Sequence, residues 1–275
     1  MAYEYDTLRV DVAGGIARVT IDHPPINLFD LALMLDVARC AEELATDDDV
    51  RVVIVESADA DFFIAHADVE LILQLPREER EAPSDDLGFF HAMCERFRTM
   101  PKATIAVIEG AVRGGGCELV SSFDMRFASR ERAVFGQPEV ALGIIPGGSG
   151  TQRLPRLLGR ARALEVILGG SDVDAQRAEE WGWVNRALPH DELHPFVDAL
   201  AARIASFPAH AIAAAKRSVD HGLPDPVPGL RTEEWLFSQT LLEPSAISRM
   251  EAFLAVGGQT REPERDLPAL YDRLP

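Results

Sequence analysis

Lysine is almost missing from this 275-residue chain: Lys102 and Lys216 are the only two, and every other basic side chain is arginine. We read that bias as compositional rather than functional. Basic residues are scarce as a class, 27 against 45 acidic ones, for a net charge of -18. Nucleic-acid backbones and anionic membrane surfaces both require clustered positive charge, so neither is an expected partner. A small anionic ligand stays compatible, because screening confines a distant surface charge and a few local arginines can outweigh it. Cysteine is scarce too: Cys40, Cys94 and Cys117 are widely spaced, and no C-x-x-C occurs. That pattern lacks both a disulfide framework and a zinc ribbon, and suits a reducing cytoplasm. The three thiols read as small buried apolar groups. No metal constellation stands out among the seven histidines. No apolar run reaches the ~18 residues of a membrane span; the most apolar stretch, Ala103 to Val112, is broken by Glu109 and Gly110. The acidic, polar start MAYEYDTLRV reads as neither a signal nor a transit peptide, so a cytoplasmic location is expected.

What is present is an ordinary globular balance of 47% hydrophobic and 26% charged residues. It is enough for one large α/β domain with a smaller appendage. Leu8, Val10, Val12 and then Ala17, Val19, Ile21 alternate with polar residues across Gly14-Gly15, the pattern of a β-hairpin. Asp30 caps an expected helix whose core face reads as Leu31, Leu35, Ala38 and Ala41. Arg51 to Ser57 and Ala103 to Glu109 are apolar, β-branched runs, expected as buried strands of a parallel sheet. Residues 69 to 75 suggest a short helix, 76 to 86 a charged mobile surface loop, and Leu87 to Met100 a helix stopped by Pro101. Shorter strands are expected at Asp124 to Ala128, Ala133 to Phe135 and Val184 to Leu188. The last third is helical and Ala-rich, with a joint at Pro224 to Pro228. Alternating strands and helices imply α/β layers.

Several glycine clusters invite standard readings that fail. Gly147 to Thr151 (GGSGT) lacks the final Gly of a nucleophile elbow. No Lys follows any of these glycines, so there is no P-loop. The dinucleotide spacing breaks at Arg153. Gly147, Gly148 and Gly150 read instead as a turn admitting a helix near Thr151. Gly114-Gly115-Gly116 lies between an expected strand and an expected helix. It can bring backbone N–H groups close to a ligand and hold an oxyanion, or make a tight structural turn. Glu118 follows in the first helical turn. Glu139 sits in apolar surroundings that raise a carboxyl pKa. Two carboxyls in different environments can form an acid/base pair, or can be capping and solvated residues.

Taken together, three segments resemble the signature of the enoyl-CoA hydratase/isomerase (crotonase) family. They are Ile108 to Leu119 (IEGAVRGGGCEL), Phe135 to Glu139 (FGQPE) and Leu142 to Leu154 (LGIIPGGSGTQRL). His23 to Asn27 (HPPIN) and Phe63 to Val69 (FIAHADV) resemble weaker segments of it. The likeness runs from about residue 8 to residue 190. It implies an α/β fold: a crotonase-like spiral of repeated β-β-α units over residues 1–200. A C-terminal helical trimerisation region, 201–275, would follow, serving oligomerisation and pocket closure in a homotrimer or hexamer.

The resemblance also implies a 2-enoyl-CoA substrate, with coenzyme A as part of the substrate and no separate cofactor. The aligned catalytic pair is Glu118, mainly base, and Glu139, mainly acid. The aligned oxyanion-hole amides are Ala67 and Gly115. Ala65, His66, Asp68, Gly114, Pro138 and Gly147 are the expected substrate contacts. Having both carboxylates favours hydration over double-bond isomerisation. C–C hydrolysis of a β-diketone and a non-catalytic acyl-CoA-binding protein are the other readings.

The sequence departs from the family at three places. His66 stands where Gly is usual and is expected either to crowd or extend the pocket rim, as a substrate contact or an extra proton carrier, or to point to solvent as a neutral replacement. One extra residue separates Glu118 from Glu139, placed in the turn Ser129 to Ala133. The C-terminal stretch Met250 to Arg261 carries no Lys for the nucleotide of CoA.

Overall fold

A computed structural model describes residues 3–275. Strands β1 (Leu8–Ala13) and β2 (Ile16–Ile21) form the expected hairpin. Its two-residue turn places both Gly14 and Gly15 at positive φ, the conformation that matches the twist of the flanking strands. Helix α1 (Leu31–Thr46) starts where Asp30 accepts a hydrogen bond from Leu33 N (2.9 Å). Its buried stripe is not the expected one. Leu33, Met34, Val37, Cys40, Ala41 and Leu44 face the core, whereas Leu31 and Leu35 are 53% and 51% exposed.

Three β-β-α units follow. β3 (Val52–Ser57) and β4 (Phe62–Ile64) lead to α2 (Val69–Leu73) and α3 (Phe89–Thr99). β5 (Ala103–Ile108) and β6 (Ala111–Arg113) lead to α4 (Gly115–Val120). β7 (Met125–Ser129) and β8 (Val134–Gly136) lead to a 3-10 turn (Glu139–Leu142) and α5 (Gly150–Leu158). The first strand of each unit joins a six-stranded sheet ordered β1-β2-β3-β5-β7-β10, parallel beyond the hairpin. The second joins a four-stranded sheet ordered β4-β6-β8-β9. The chain thus winds from one sheet to the other once per unit, as the spiral expectation required. Three-residue strands such as β4 and β6 are too short to show a period, and only this pairing reveals them. The chain continues through α6 (Arg160–Gly169), β9 (Val173–Asp174), α7 (Ala175–Trp181), β10 (Arg186–Leu188) and α8 (His190–Ala205).

The apolar runs in β3 and β5 have a simple cause: both sheet faces are covered. Val53, Val55, Ala106 and Ile108 enter the main core, which α1 and α3 close. Val52, Ile54, Ile105 and Val107 enter a second core closed by Leu193, Val197 and Ala201 of α8. The remaining helices are α9 (Ala209–His221), α10 (Val227–Thr240), α11 (Pro244–Ala255), α12 (Arg261–Glu264) and α13 (Leu267–Tyr271). Helix α9 buries none of its residues. By contrast, Leu241, Met250, Phe253, Leu267 and Leu270 pack on Val69, Leu142 and Ile144. The C-terminal helices therefore cover the segments that carry the expected site. No single helix among the described residues is long and apolar enough to cross a membrane.

Candidate active site

Helix α4 begins at the end of β6. Gly114 caps it with φ +48°, a conformation side chains rarely adopt. Gly116 lets α4 close on β4: a Cβ there would lie 2.8 Å from Ile64 Cβ. A Cβ on Gly115 would lie 3.3 Å from Ala67 Cβ, so the two expected oxyanion residues are neighbours. Ala67 is placed by an isolated bridge to Phe29, through Phe29 N to His66 O (2.9 Å) and Asp68 N to Phe29 O (3.1 Å). These bonds use the His66 carbonyl and the Asp68 N–H and leave the Ala67 N–H outside the pairing. The HPPIN stretch supports the same corner, since Asn27 Nδ2 donates to Phe62 O (3.2 Å) and Phe63 O (3.1 Å).

Glu118 is buried in the first turn of α4, and its Oε1 accepts from Gly148 N (2.8 Å) and Gly150 N (2.7 Å). The glycine turn that matches no nucleotide motif is therefore a clamp for a carboxyl. Burial, followed by the negative charge of Glu233, raises the Glu118 pKa to about 7; the two amides and His91 oppose that rise. Glu139 opens the 3-10 turn and is also buried. Burial first, then the charge of Glu118, holds its pKa well above the usual carboxylate range. Gln137, with its amide nitrogen turned inward, donates to both Glu139 oxygens at 2.9 and 3.1 Å. The two carboxyls thus sit in different environments, Glu118 held by two backbone amides and Glu139 by the Gln137 side-chain amide.

Both line a cavity of about 480 Å³, together with Ala67, Asp68, Gly115 and Gly147. Its walls are largely apolar, including Leu71, Phe90 and Phe237. A wider open groove of about 820 Å³ beside Phe207 and Lys216 contains neither carboxyl. The other expected contacts lie behind the cavity rather than on it. Ala65 is fully buried against Ile26 and Phe62. Gly114 backs Glu139, its missing Cβ leaving room for Oε1. Pro138 and His66 border a small void of about 30 Å³ closed by Phe253 and Tyr271. His66 is only 4% exposed and does not extend the pocket rim. Its Nδ1 meets Ala67 O (2.7 Å) and its Nε2 meets Glu264 Oε1 (2.9 Å). Asp68, although on the cavity, is occupied as the cap of α2 and by Gln259 Nε2 (3.0 Å).

Sequence reasoning missed His91 of α3 and Glu233 of α10. Both are buried; His91 lines the cavity, and its Nε2 lies 3.0 Å from Glu233 Oε1. Glu233 also accepts from Ser149 N (2.5 Å), Thr151 N (2.7 Å) and the Thr151 hydroxyl. Four consecutive amides at the start of α5 thus alternate between Glu118 and Glu233. These are the groups a helix N-terminus leaves without internal partners. No local pattern marks the pairing, because it joins residues 142 positions apart.

Comparison with known proteins adds an independent line. Residues 11–254 match the family described as Enoyl-CoA hydratase/isomerase. A probable enoyl-CoA hydratase of Mycobacterium leprae is 32% identical over 91% of this chain and 96% of its own. One from Rhizobium meliloti is 34% identical with the same coverage. Among solved structures, a candidate enoyl-CoA hydratase from Streptomyces avermitilis superposes with a TM-score of 0.90 at 41% identity, over 98% of both chains. An enoyl-CoA hydratase from Mycobacterium avium superposes at 0.80 and 25% identity, over 90% of this chain and 99% of that one.

Proposed function

Since the chain belongs to the enoyl-CoA hydratase/isomerase family, we propose that it adds water across the C2=C3 double bond of a 2-enoyl-CoA thioester. One observation carries the reading: two buried carboxyls, Glu118 and Glu139, face one cavity beside the neighbouring backbone of Ala67 and Gly115. A thioester carbonyl oxygen seated between those two amides gains negative charge as water attacks C3. Donors already in place lower that barrier, and losing one costs roughly 3–4 kcal/mol in a comparable site. Glu118 takes the proton from water as its oxygen bonds to C3, and the electron pair of the double bond moves to the carbonyl oxygen. Glu139 then gives its proton to C2 as the carbonyl re-forms. The carboxyls titrate as a pair, and a water can return the proton from one to the other.

The electrostatics support this division. A base that ionises near neutrality suits Glu118, and a carboxyl kept protonated suits an acid at Glu139. Isomerisation needs one carboxylate; the presence of both in one cavity favours hydration. Coenzyme A enters as part of the substrate. Phe237 and Leu241 of the C-terminal region 201–275 line the cavity, which supports a role for that region in closing the pocket. The solvent-facing helix α9, with Val219 68% exposed, supports a homotrimer or hexamer, which sedimentation tests directly. The reaction itself is tested by mixing the protein with crotonyl-CoA and following loss of the enoyl-thioester absorbance.

A further inference from the structure

Glu233 has a position that hydration alone does not explain. It lies on α10, far from the family signature in sequence, with a side chain wholly removed from solvent. It accepts four hydrogen bonds: from Ser149 N, Thr151 N, the Thr151 hydroxyl and His91 Nε2. A carboxylate offers about four acceptor sites, so its capacity is filled. Ser149 is also held at φ +116°, in the region that favours glycine. The turn at 148–151 therefore keeps an unfavourable conformation while its amides point alternately to two different carboxylates.

We propose that Glu233 is a positioning residue for Glu118. By fixing Ser149 and Thr151, it aims the intervening Gly148 and Gly150 amides at the Glu118 carboxyl. His91 holds Glu233 in turn and reaches the cavity wall. The inference rests on Glu118 being the base of the proposed hydration, but its structural part does not. Charge acts in the same place. Glu118 faces His91 and Cys94 of α3, Glu139 of the 3-10 turn and Glu233 of α10. The Glu233 charge disfavours ionisation of Glu118, and the Gly148 and Gly150 amides favour it.

The test compares wild type, Glu233→Gln and His91→Gln in crotonyl-CoA hydration. For Glu233→Gln, kcat is expected to fall roughly tenfold to a hundredfold, from a slightly misplaced base, with much less change in KM. His91→Gln keeps a donor to Glu233 and should lower kcat less. A kcat for Glu233→Gln close to that of wild type, or a fall in which KM changes as much as kcat, overturns the proposal. If Glu233→Gln does not fold, Thr151→Val, which removes one donor to Glu233, should still lower kcat with little change in KM, and a wild-type kcat there overturns it. If the wild type does not hydrate crotonyl-CoA, the reaction assignment is what fails. pH-difference infrared spectra, referenced to Glu118→Gln, then read the Glu118 carboxyl without turnover. A Glu118 carboxylate band that shifts in Glu233→Gln, from weakened hydrogen bonds of Gly148 and Gly150, upholds the positioning role, and an unmoved band contradicts it.

Discussion

His66 Nε2 lies 2.9 Å from Glu264 Oε1, and the two side chains are 5% and 0% exposed. The pair ties the residue before Ala67 to the C-terminal segment, which holds the same stretch again through Gln259. Gln259 Oε1 accepts from Val69 N (2.6 Å), and Gln259 N donates to Glu264 Oε1 (2.8 Å). Arg113, at the end of β6, donates to Glu264 O (3.1 Å). A side chain where the family usually has glycine is thus absorbed by a buried latch, and the latch fixes the backbone that presents the Ala67 amide.

Breaking the latch should destabilise the protein in a pH-dependent way. Burial pulls the His66 pKa down, but the charge and hydrogen bond of Glu264 outweigh it and the pKa is raised. Burial pushes Glu264 up, but His66 and the Gln259 amide bring it below its usual value. The His66 contribution is present below its ordinary 6.5 and is lost as pH rises through the raised value. The Glu264 contribution is present above its ordinary 4.5 and is lost as pH falls through the lowered value. Glu264→Gln should cost roughly 3–5 kcal/mol, as for a broken buried pair. Calorimetry should find the largest loss in Tm between pH 4.5 and 6.5 and a narrowing gap at alkaline pH. A gap constant with pH contradicts a charged latch.

The pH–rate profile follows from the site carboxyls. Glu118 must be ionised to act as base, so kcat/KM should rise with pH through about 7. Glu139 must be protonated to act as acid, and burial and the charge of Glu118 hold its pKa well above the carboxylate range. Activity should therefore fall again at higher pH, giving a bell whose limbs belong to the pair. Steady-state kinetics across that range check it, and maximal activity at acidic pH runs against it.

Gly148 is spatially constrained. A Cβ there would lie 2.4 Å from Phe90 Cε1 and 2.6 Å from Glu118 Oε2. Gly148→Ala should displace the carboxyl and lower kcat on the order of 10²-fold, with the circular dichroism spectrum retained. Wild-type turnover in that variant contradicts the role assigned to the clamp.

The parts of the site that were legible in sequence are contiguous ones. Gly114 to Glu118 and Gln137 to Glu139 lie within short segments, where a strand, a turn and a carboxyl must follow in order. His91 and Glu233 were not legible, because a hydrogen bond between distant helices leaves no local period. The misread face of α1 has another cause. Leu31 is apolar because it lines the cavity, not because it faces the core, and periodicity does not distinguish the two. His66 looked like a rim residue because its partner, Glu264, lies 198 positions away.

The stretch Met250 to Arg261 has no lysine; Arg261 pairs with Asp59 and Asp61, and the nearby Arg265 with Asp61. Arg80, in the exposed loop, lines the cavity, and it is the cation expected to meet the phosphates of the proposed CoA substrate. Arg80→Ala should raise KM for crotonyl-CoA roughly tenfold with little change in kcat, the sign of lost uniform binding. The effect should shrink with added salt. An unchanged KM places the nucleotide elsewhere.

The most direct test of the paired-carboxyl mechanism is kcat for crotonyl-CoA hydration by Glu118→Gln and Glu139→Gln, each against wild type. The account predicts that both variants fold and that both lose activity by several orders of magnitude. Near-wild-type turnover in either one contradicts it.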